Sequence, residues 1–200
     1  MNDFVCTVTR MASADGGDGV RLTLADFPDG EGRTLTVSAD DFLALRIARG
    51  GMDADTLAAV TAAAGRYAAL RAAVRMLGAG QCSRRRLYEK LRARRIPDAD
   101  AAFAVETAYA AGYIDEDWQL KSYIRTLTAQ KQYGPRKLYA ALAAKGYRGD
   151  DIRRAMDESF GEAEVRAAKR AFLEKKFGKT VPATRDEAVA MRQALYKQGF

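Results

Sequence analysis

The chain repeats itself, and the repeat limits what it can fold into more than any other feature. Setting the run LYEKL that begins at Leu87 against the run LYAAL that begins at Leu138 gives an offset of 51 residues. At that offset Arg85, Leu87, Tyr88, Leu91, Ile96 and Asp100 fall on Arg136, Leu138, Tyr139, Leu142, Tyr147 and Asp151. A fainter copy places Met191, Leu195 and Phe200 on the same apolar positions. Units of this length, apolar at helical spacing, cannot each bury a face alone and so must stack on their neighbours. The expected fold is therefore mainly α: tandem three-helix repeats forming an elongated, curved body.

The stretch ahead of the repeats reads differently. Val5–Met11, Val20–Leu24 and Arg33–Val37 are short runs of strand character, separated by the turn-rich segments Ala14–Gly19 and Phe27–Gly32. Together they predict a small three-stranded β meander. Ser38, followed by Asp40 and Asp41, has the chemistry of a helix N-cap with acids in the first turn. That helix is expected to end at Gly50-Gly51, and a second to run from Asp53 or Asp55 through Ala64. The acids of this region read as turn formers and caps rather than metal ligands.

From Tyr67 onward the pattern is helical. Leu70, Val74 and Leu77 recur at helical spacing before Gly78–Gly80 stops the run; with no strand before it and no Gly-Lys-Ser/Thr after it, this glycine segment is a turn, not a phosphate loop. Ser83 is the expected cap of a helix over 84–95, Pro97-Asp98 breaks it, and a helix over 99–111 ends at Gly112. The second repeat opens on Asp115-Glu116-Asp117, restarts at Gly134-Pro135 with proline at the first helical position, stops at Gly146, and closes with a helix over 150–160. The third has helices over 162–177 and, capped by Thr184, 184–197, with a loop around Lys179–Pro182. The expected regions are 1–65 (acidic, β meander and short helices), 66–114, 115–160 and 161–200 (the three repeats, the last one helix short).

Composition excludes several functions. The chain has no histidine, which removes Ser-His-Asp and Cys-His catalysis and histidine metal sites, and no spacing of carboxylates or lysines points to a reaction. We expect no catalytic residue, no cofactor and no metal. Cys6 and Cys82 stand far apart with no second thiol near either, which favours inert thiols in a reducing, cytoplasmic setting. No apolar run approaches the roughly 20 residues of a membrane span, and the first residues lack the pattern of a secretory signal.

Charge is split along the chain. Up to Gly65 there are 5 Arg and no Lys against 10 acids, and beyond it 28 basic residues against 16 acids, so a head of net −5 precedes a body of net +12. The densest cluster is Arg84–Arg95, with seven basic residues and one acid. Leu87 and Leu91 occupy one side of that helix, so Arg84, Arg85, Arg86, Lys90, Arg92, Arg94 and Arg95 spread over the rest. Arg136, Lys137 and Lys145 repeat the device, and Arg125, Lys131, Arg153 and Arg154 add to it, with Tyr133 and Tyr139 among the charges. Tyr88 and Tyr139, beside the core leucines, read as packing residues. Such a basic face fits a polyanion, either nucleic acid phosphates or an acidic protein surface.

The motifs themselves resemble those of the RecX family of recombination regulators. Gly112-Tyr113-Ile114-Asp115-Glu116, Tyr123-Ile124-Arg125, Tyr133-Gly134-Pro135-Arg136-Lys137-Leu138 and Lys145-Gly146-Tyr147 carry the likeness, joined by Ser83-Arg84-Arg85-Arg86-Leu87 and Leu91–Ile96 of the first repeat. The resemblance implies three tandem three-helix repeats in a monomer. The implied partner is the RecA filament on single-stranded DNA, bound in the filament groove, with ATP hydrolysis, strand exchange and co-protease activity inhibited. It also implies weak direct contact with single- or double-stranded DNA. Carried onto this chain, the binding face would comprise Arg84, Arg85, Arg86, Lys90, Arg92, Arg94, Arg95, Arg125, Lys131, Tyr133, Arg136, Lys137 and Lys145. The alternative is a sequence-independent nucleic-acid-binding module with no filament partner.

Overall fold

The computed structural model describes residues 4–178 and 181–200. Lys179 and Thr180, which carry the start of the expected Lys179–Pro182 loop, lie outside the described residues. Two compact units are present: residues up to Ala79 together with Tyr88–Ala111, and Gly80–Leu87 together with Gly112–Phe200.

The first unit opens with an antiparallel sheet. Strands β1 (Phe4–Ala14), β2 (Gly19–Ala25) and β3 (Arg33–Ser38) form the expected meander. Period-2 alternation sends Cys6, Val8, Leu22, Leu24 and Val37 to one face, all buried. The β2–β3 turn is held by Asp29, whose carboxylate accepts from the Glu31 N–H at 3.1 Å and from Arg33 Nη2 at 2.6 Å. Those bonds, the backbone one first, hold its carboxyl below the usual range.

Two expectations fail in this unit. Helix α1 covers only Ala39–Ala44, with Ser38 accepting from the Asp41 N–H as expected, because Arg46 turns left-handed at φ 51°. Gly50-Gly51 is then not a helix stop but the start of a fourth strand, β4 (Gly50–Asp53), which pairs with β1 to give the order β3-β2-β1-β4. Helix α2 runs unbroken from Ala54 to Ala79, through Gly65, where two helices were expected. Gly65 serves a close approach: a Cβ there would lie 2.7 Å from Asp100 Oδ2 of helix α4 (Asp98–Ala110). Val60, Ala63 and Ala64 of α2 seal the sheet's buried face.

Helix α3 (Arg84–Ala93) begins in the second unit and ends in the first. The second unit continues with α5 (Glu116–Lys131), α6 (Pro135–Ala144), α7 (Gly149–Ser159), α8 (Glu162–Phe177) and α9 (Arg185–Gln198). Asp115 and Thr184 are N-caps of α5 and α9, accepting from the N–H groups of Trp118 and Glu187, and Pro135 sits at the start of α6. The core collects Leu120, Ile124, Leu138, Leu142, Tyr147 and Ile152, so the repeat's apolar ridge is the buried one. Leu87 and Leu91, at the equivalent positions of α3, have no exposed surface.

Candidate interaction surface

The residues that carry the sequence motifs build a joint that occurs twice in the second unit. At the first occurrence the end of α6 meets the start of α3. Ser83 Oγ donates to the Lys145 carbonyl at 2.8 Å and accepts from the Arg86 N–H at 3.3 Å. Gly146 lies at φ +90°, and a Cβ there would be 2.8 Å from Ser83 Oγ. Tyr147, buried beneath, donates from its hydroxyl to Gln119 Oε1 at 2.7 Å, and Gln119 Nε2 donates to Gln81 Oε1 at 3.2 Å. Burial is the main reason the Tyr147 phenol is pushed well above its ordinary pKa.

The second occurrence is the same device one repeat along. The end of α9 meets the start of α6: the N–H groups of Gly134 and Arg136 donate to the carbonyls of Gln198 and Gly199 at 2.9 and 3.1 Å. These are orphan donors of a helix start, where Pro135 has no N–H to offer. Gly199 takes the role of Gly146 at φ +94°, and Phe200 that of Tyr147. A Cβ on Gly134 would meet the Gly199 carbonyl carbon at 2.5 Å, which makes this glycine a condition of the contact. Side chains finish the seam. Arg136 Nη2 donates to the Phe200 oxygen at 2.8 Å, Lys137 Nζ to Gln198 Oε1 at 3.1 Å, and Gln198 Nε2 to the Lys131 and Gln132 carbonyls.

The thirteen candidate residues therefore divide by what already engages them. Arg84 is held through its Nε by Glu116 Oε2 at 3.0 Å, while its backbone N–H donates to the other oxygen of the same carboxylate at 2.8 Å. Arg92 donates to the Ile96 carbonyl at 2.6 Å and pairs with Asp98 at 3.5 Å, closing the end of α3. Arg136 lies over the Tyr196 ring at 4.3 Å, Lys145 over Tyr123 at 4.3 Å, and Lys137 and Lys131 over Tyr133 at 4.6 and 5.9 Å. Arg125 borders a groove with Thr128, Gln132, Phe160 and Glu164. Lys90 and Arg94 border another, in the first unit, with Arg75. Arg85, Arg86 and Arg95 are exposed. Arg153 and Arg154 are paired within their own helix, to Asp150 and Asp151.

The two tyrosines expected to pack do so in part. Tyr139 packs against the core of the second unit, and Tyr88, half-buried, donates its hydroxyl to Asp98. Sequence reasoning passed over Glu116, Gln119 and Arg75. Glu116 was visible as one of three acids at a helix start, but nothing local says that it reaches back 32 residues to Arg84. Its loss would leave a guanidinium and a helix N–H without their acceptor. We expect Glu116→Ala to lower stability by about 1–3 kcal/mol, read by urea unfolding, with Arg84→Ala costing no more than Glu116→Ala.

Short helices that each open on a basic turn and are closed by a Gly–aromatic pair from the following repeat define a helical-repeat protein, a class that works through its surface. A scan against models of known protein families matched none of them. Curated relatives do match. The regulatory protein RecX of Halorhodospira halophila is 36% identical over 132 residues, covering 64% of this chain and 78% of the relative. RecX of Stenotrophomonas maltophilia is 31% identical, covering 59% of this chain and 71% of the relative. RecX of Thermus thermophilus is 32% identical, over 51% of this chain and 70% of the relative. A crystal structure of regulatory protein RecX matches the fold with a TM-score of 0.77 at 18% identity, covering 98% of this chain and 94% of that one. RecX from Lactobacillus salivarius matches with 0.59 at 17% identity, over 68% and 88%. The chain belongs to the RecX family of regulatory proteins.

Proposed function

We propose that this chain regulates the RecA recombinase. It binds the RecA filament on single-stranded DNA as a monomer and inhibits ATP hydrolysis, strand exchange and co-protease activity. In this reading it acts in the cytoplasm without catalysing a reaction, and 66–114, 115–160 and 161–200 are three uses of one device beside a separate region, 1–65. The observation that carries the reading is the family membership of a chain whose repeat joints set basic side chains around each helix start. Arg85, Arg86 and Lys145 flank one joint, and Lys131, Arg136 and Lys137 the other. A partner that is itself a helical polymer of repeated subunits offers repeated acidic or phosphate contacts to such an array. The two buried free cysteines suit a reducing compartment.

The test is single-stranded-DNA-dependent ATP hydrolysis by the cognate RecA, titrated with this protein. The expected result is inhibition at well below one copy per RecA. Unchanged hydrolysis beside tight binding to bare DNA would replace this reading with that of a nucleic-acid-binding module lacking a filament partner. The folded double variant Arg85→Glu, Arg86→Glu is expected to lose the inhibition.

A further inference from the structure

The basic residues of the first unit are not equally engaged. Arg33 is bonded to Asp29, Arg66 and Arg71 pair with Asp41 and Asp15 at 3.6 and 3.3 Å, and Arg92 pairs with Asp98. Arg75, Lys90 and Arg94 have no ion pair or hydrogen bond to any described side chain, and all three border one groove of about 600 Å³. Its remaining lining is Met76, Ala79 and Ala93, apolar, with no acid. Three cations converging on an apolar floor repel one another, and the floor excludes part of the water that would screen them. The groove lies at the ends of α2 and α3, where each helix contributes about half a negative unit charge. That offsets about one of the three cations and leaves the rest uncompensated.

We propose that this groove is the protein's nucleic-acid contact and takes the phosphodiester backbone of a single strand. The inference rests on the proposed function only in that a regulator of a filament on DNA has such a strand beside it. Lys90 lies on the last turn of α3 and Arg94 in the turn that follows it, so both cations border the groove from the same end of that helix. Arg75 faces them from α2. The small apolar floor suits the sugars between phosphates, which carry no charge to solvate. An acidic protein side chain would need one of these cations, not three, and would find no hydrogen-bonding partner on the floor. Lys131, Arg136, Lys137 and Lys145 of the joints, by contrast, already lie over aromatic rings, and Arg136 and Lys137 are also hydrogen-bonded across a joint, so their first role is to hold the repeats together.

The experiment uses the whole chain without RecA and a fluorescent oligothymidine, with affinity measured as a function of salt. Each neutralised phosphate on a single strand contributes about 0.7 to the slope of log K against log salt. The triple variant Arg75→Ala, Lys90→Ala, Arg94→Ala is therefore expected to lose about 2 from that slope. Arg33→Ala, whose charge is balanced by Asp29, is expected to leave it unchanged. All three replaced side chains are exposed, and circular dichroism with a urea melt verifies that the variant folds. An unchanged slope in the folded triple variant overturns the proposal. So does a slope unchanged while polyglutamate binding is lost, which would assign the groove to an acidic protein. Because no RecA is present, either result is separate from the hydrolysis test of the proposed function.

Discussion

Gly199→Val is expected to release the end of α9 from the start of α6 and to lower the stability of that unit by about 2–5 kcal/mol, as the sum of backbone strain and overpacking. Two penalties act together. Gly199 lies at φ +94°, a conformation that side chains with a Cβ rarely adopt, and its Cβ would stand 2.5 Å from the Lys137 backbone nitrogen. Neither obstacle can be relieved by rotating a side chain, since the neighbour is backbone at the first turn of a helix. Gly178→Ala separates the two effects: Gly178 is also left-handed, at φ +68°, but nothing lies within 4 Å of a Cβ built there. That variant should show the conformational cost alone, roughly 1 kcal/mol. Urea unfolding reads the stabilities. Hydrogen exchange reads the mechanism: the amides of Gly134 and Arg136, which donate to the Gln198 and Gly199 carbonyls, are expected to exchange faster in the valine variant and not in Gly178→Ala. Protected amides with lost stability would place the damage elsewhere.

The division between what the sequence revealed and what it hid follows the range of the interactions. Caps are local chemistry, and Ser38, Asp115, Pro135 and Thr184 all stand where their residue types imply. The repeat was legible because one buried ridge recurs, through Leu87 and Leu91, then Leu138 and Leu142. Glycines were the weak point, since one residue type serves turn, strand and close approach alike. Gly50-Gly51 belongs to β4, and Gly65 sits inside α2 against Asp100, and no local pattern distinguishes those uses from a helix stop. The candidate surface divides in the same way. Arginines are plain in the sequence, but whether Arg84 is spoken for depends on Glu116, and whether Arg136 is depends on Phe200, 64 residues away. Conversely, Arg75 looked like one more residue of an alanine-rich helix until α3 and the turn after it brought Lys90 and Arg94 to the same groove. Lys121, braced between Asp117 and Glu158 at 2.8 and 2.9 Å and pushed up to about 12, is another charge whose partners only the fold supplies.

Leu138→Ala is expected to cost about 2–5 kcal/mol, the range for emptying a fully buried leucine site. Leu138 has no exposed surface and packs among Leu120, Ile124, Leu142, Tyr147 and Ile152. Deleting its side chain removes contacts to α5, α6 and α7 at once, and five rigid neighbours cannot all collapse into the space. The third repeat suggests the tolerant replacement: Met191 occupies the equivalent position and is buried. Leu138→Met should therefore cost less than about 1.5 kcal/mol, since volume is nearly conserved. The pair also calibrates any functional assay of the basic residues. Leu138→Ala touches no cation, so whatever regulation it loses is lost through unfolding, and it should return on cooling toward the temperature of maximum stability. Arg136→Ala removes a charge but also the bond to the Phe200 oxygen at 2.8 Å and the cover over Tyr196. Its effect on RecA can be ascribed to contact with a partner only to the extent that it exceeds the loss seen in a leucine variant of matched stability. Arg75, Lys90 and Arg94 carry no such structural duty, and for them a functional loss without a stability loss is the expected signature.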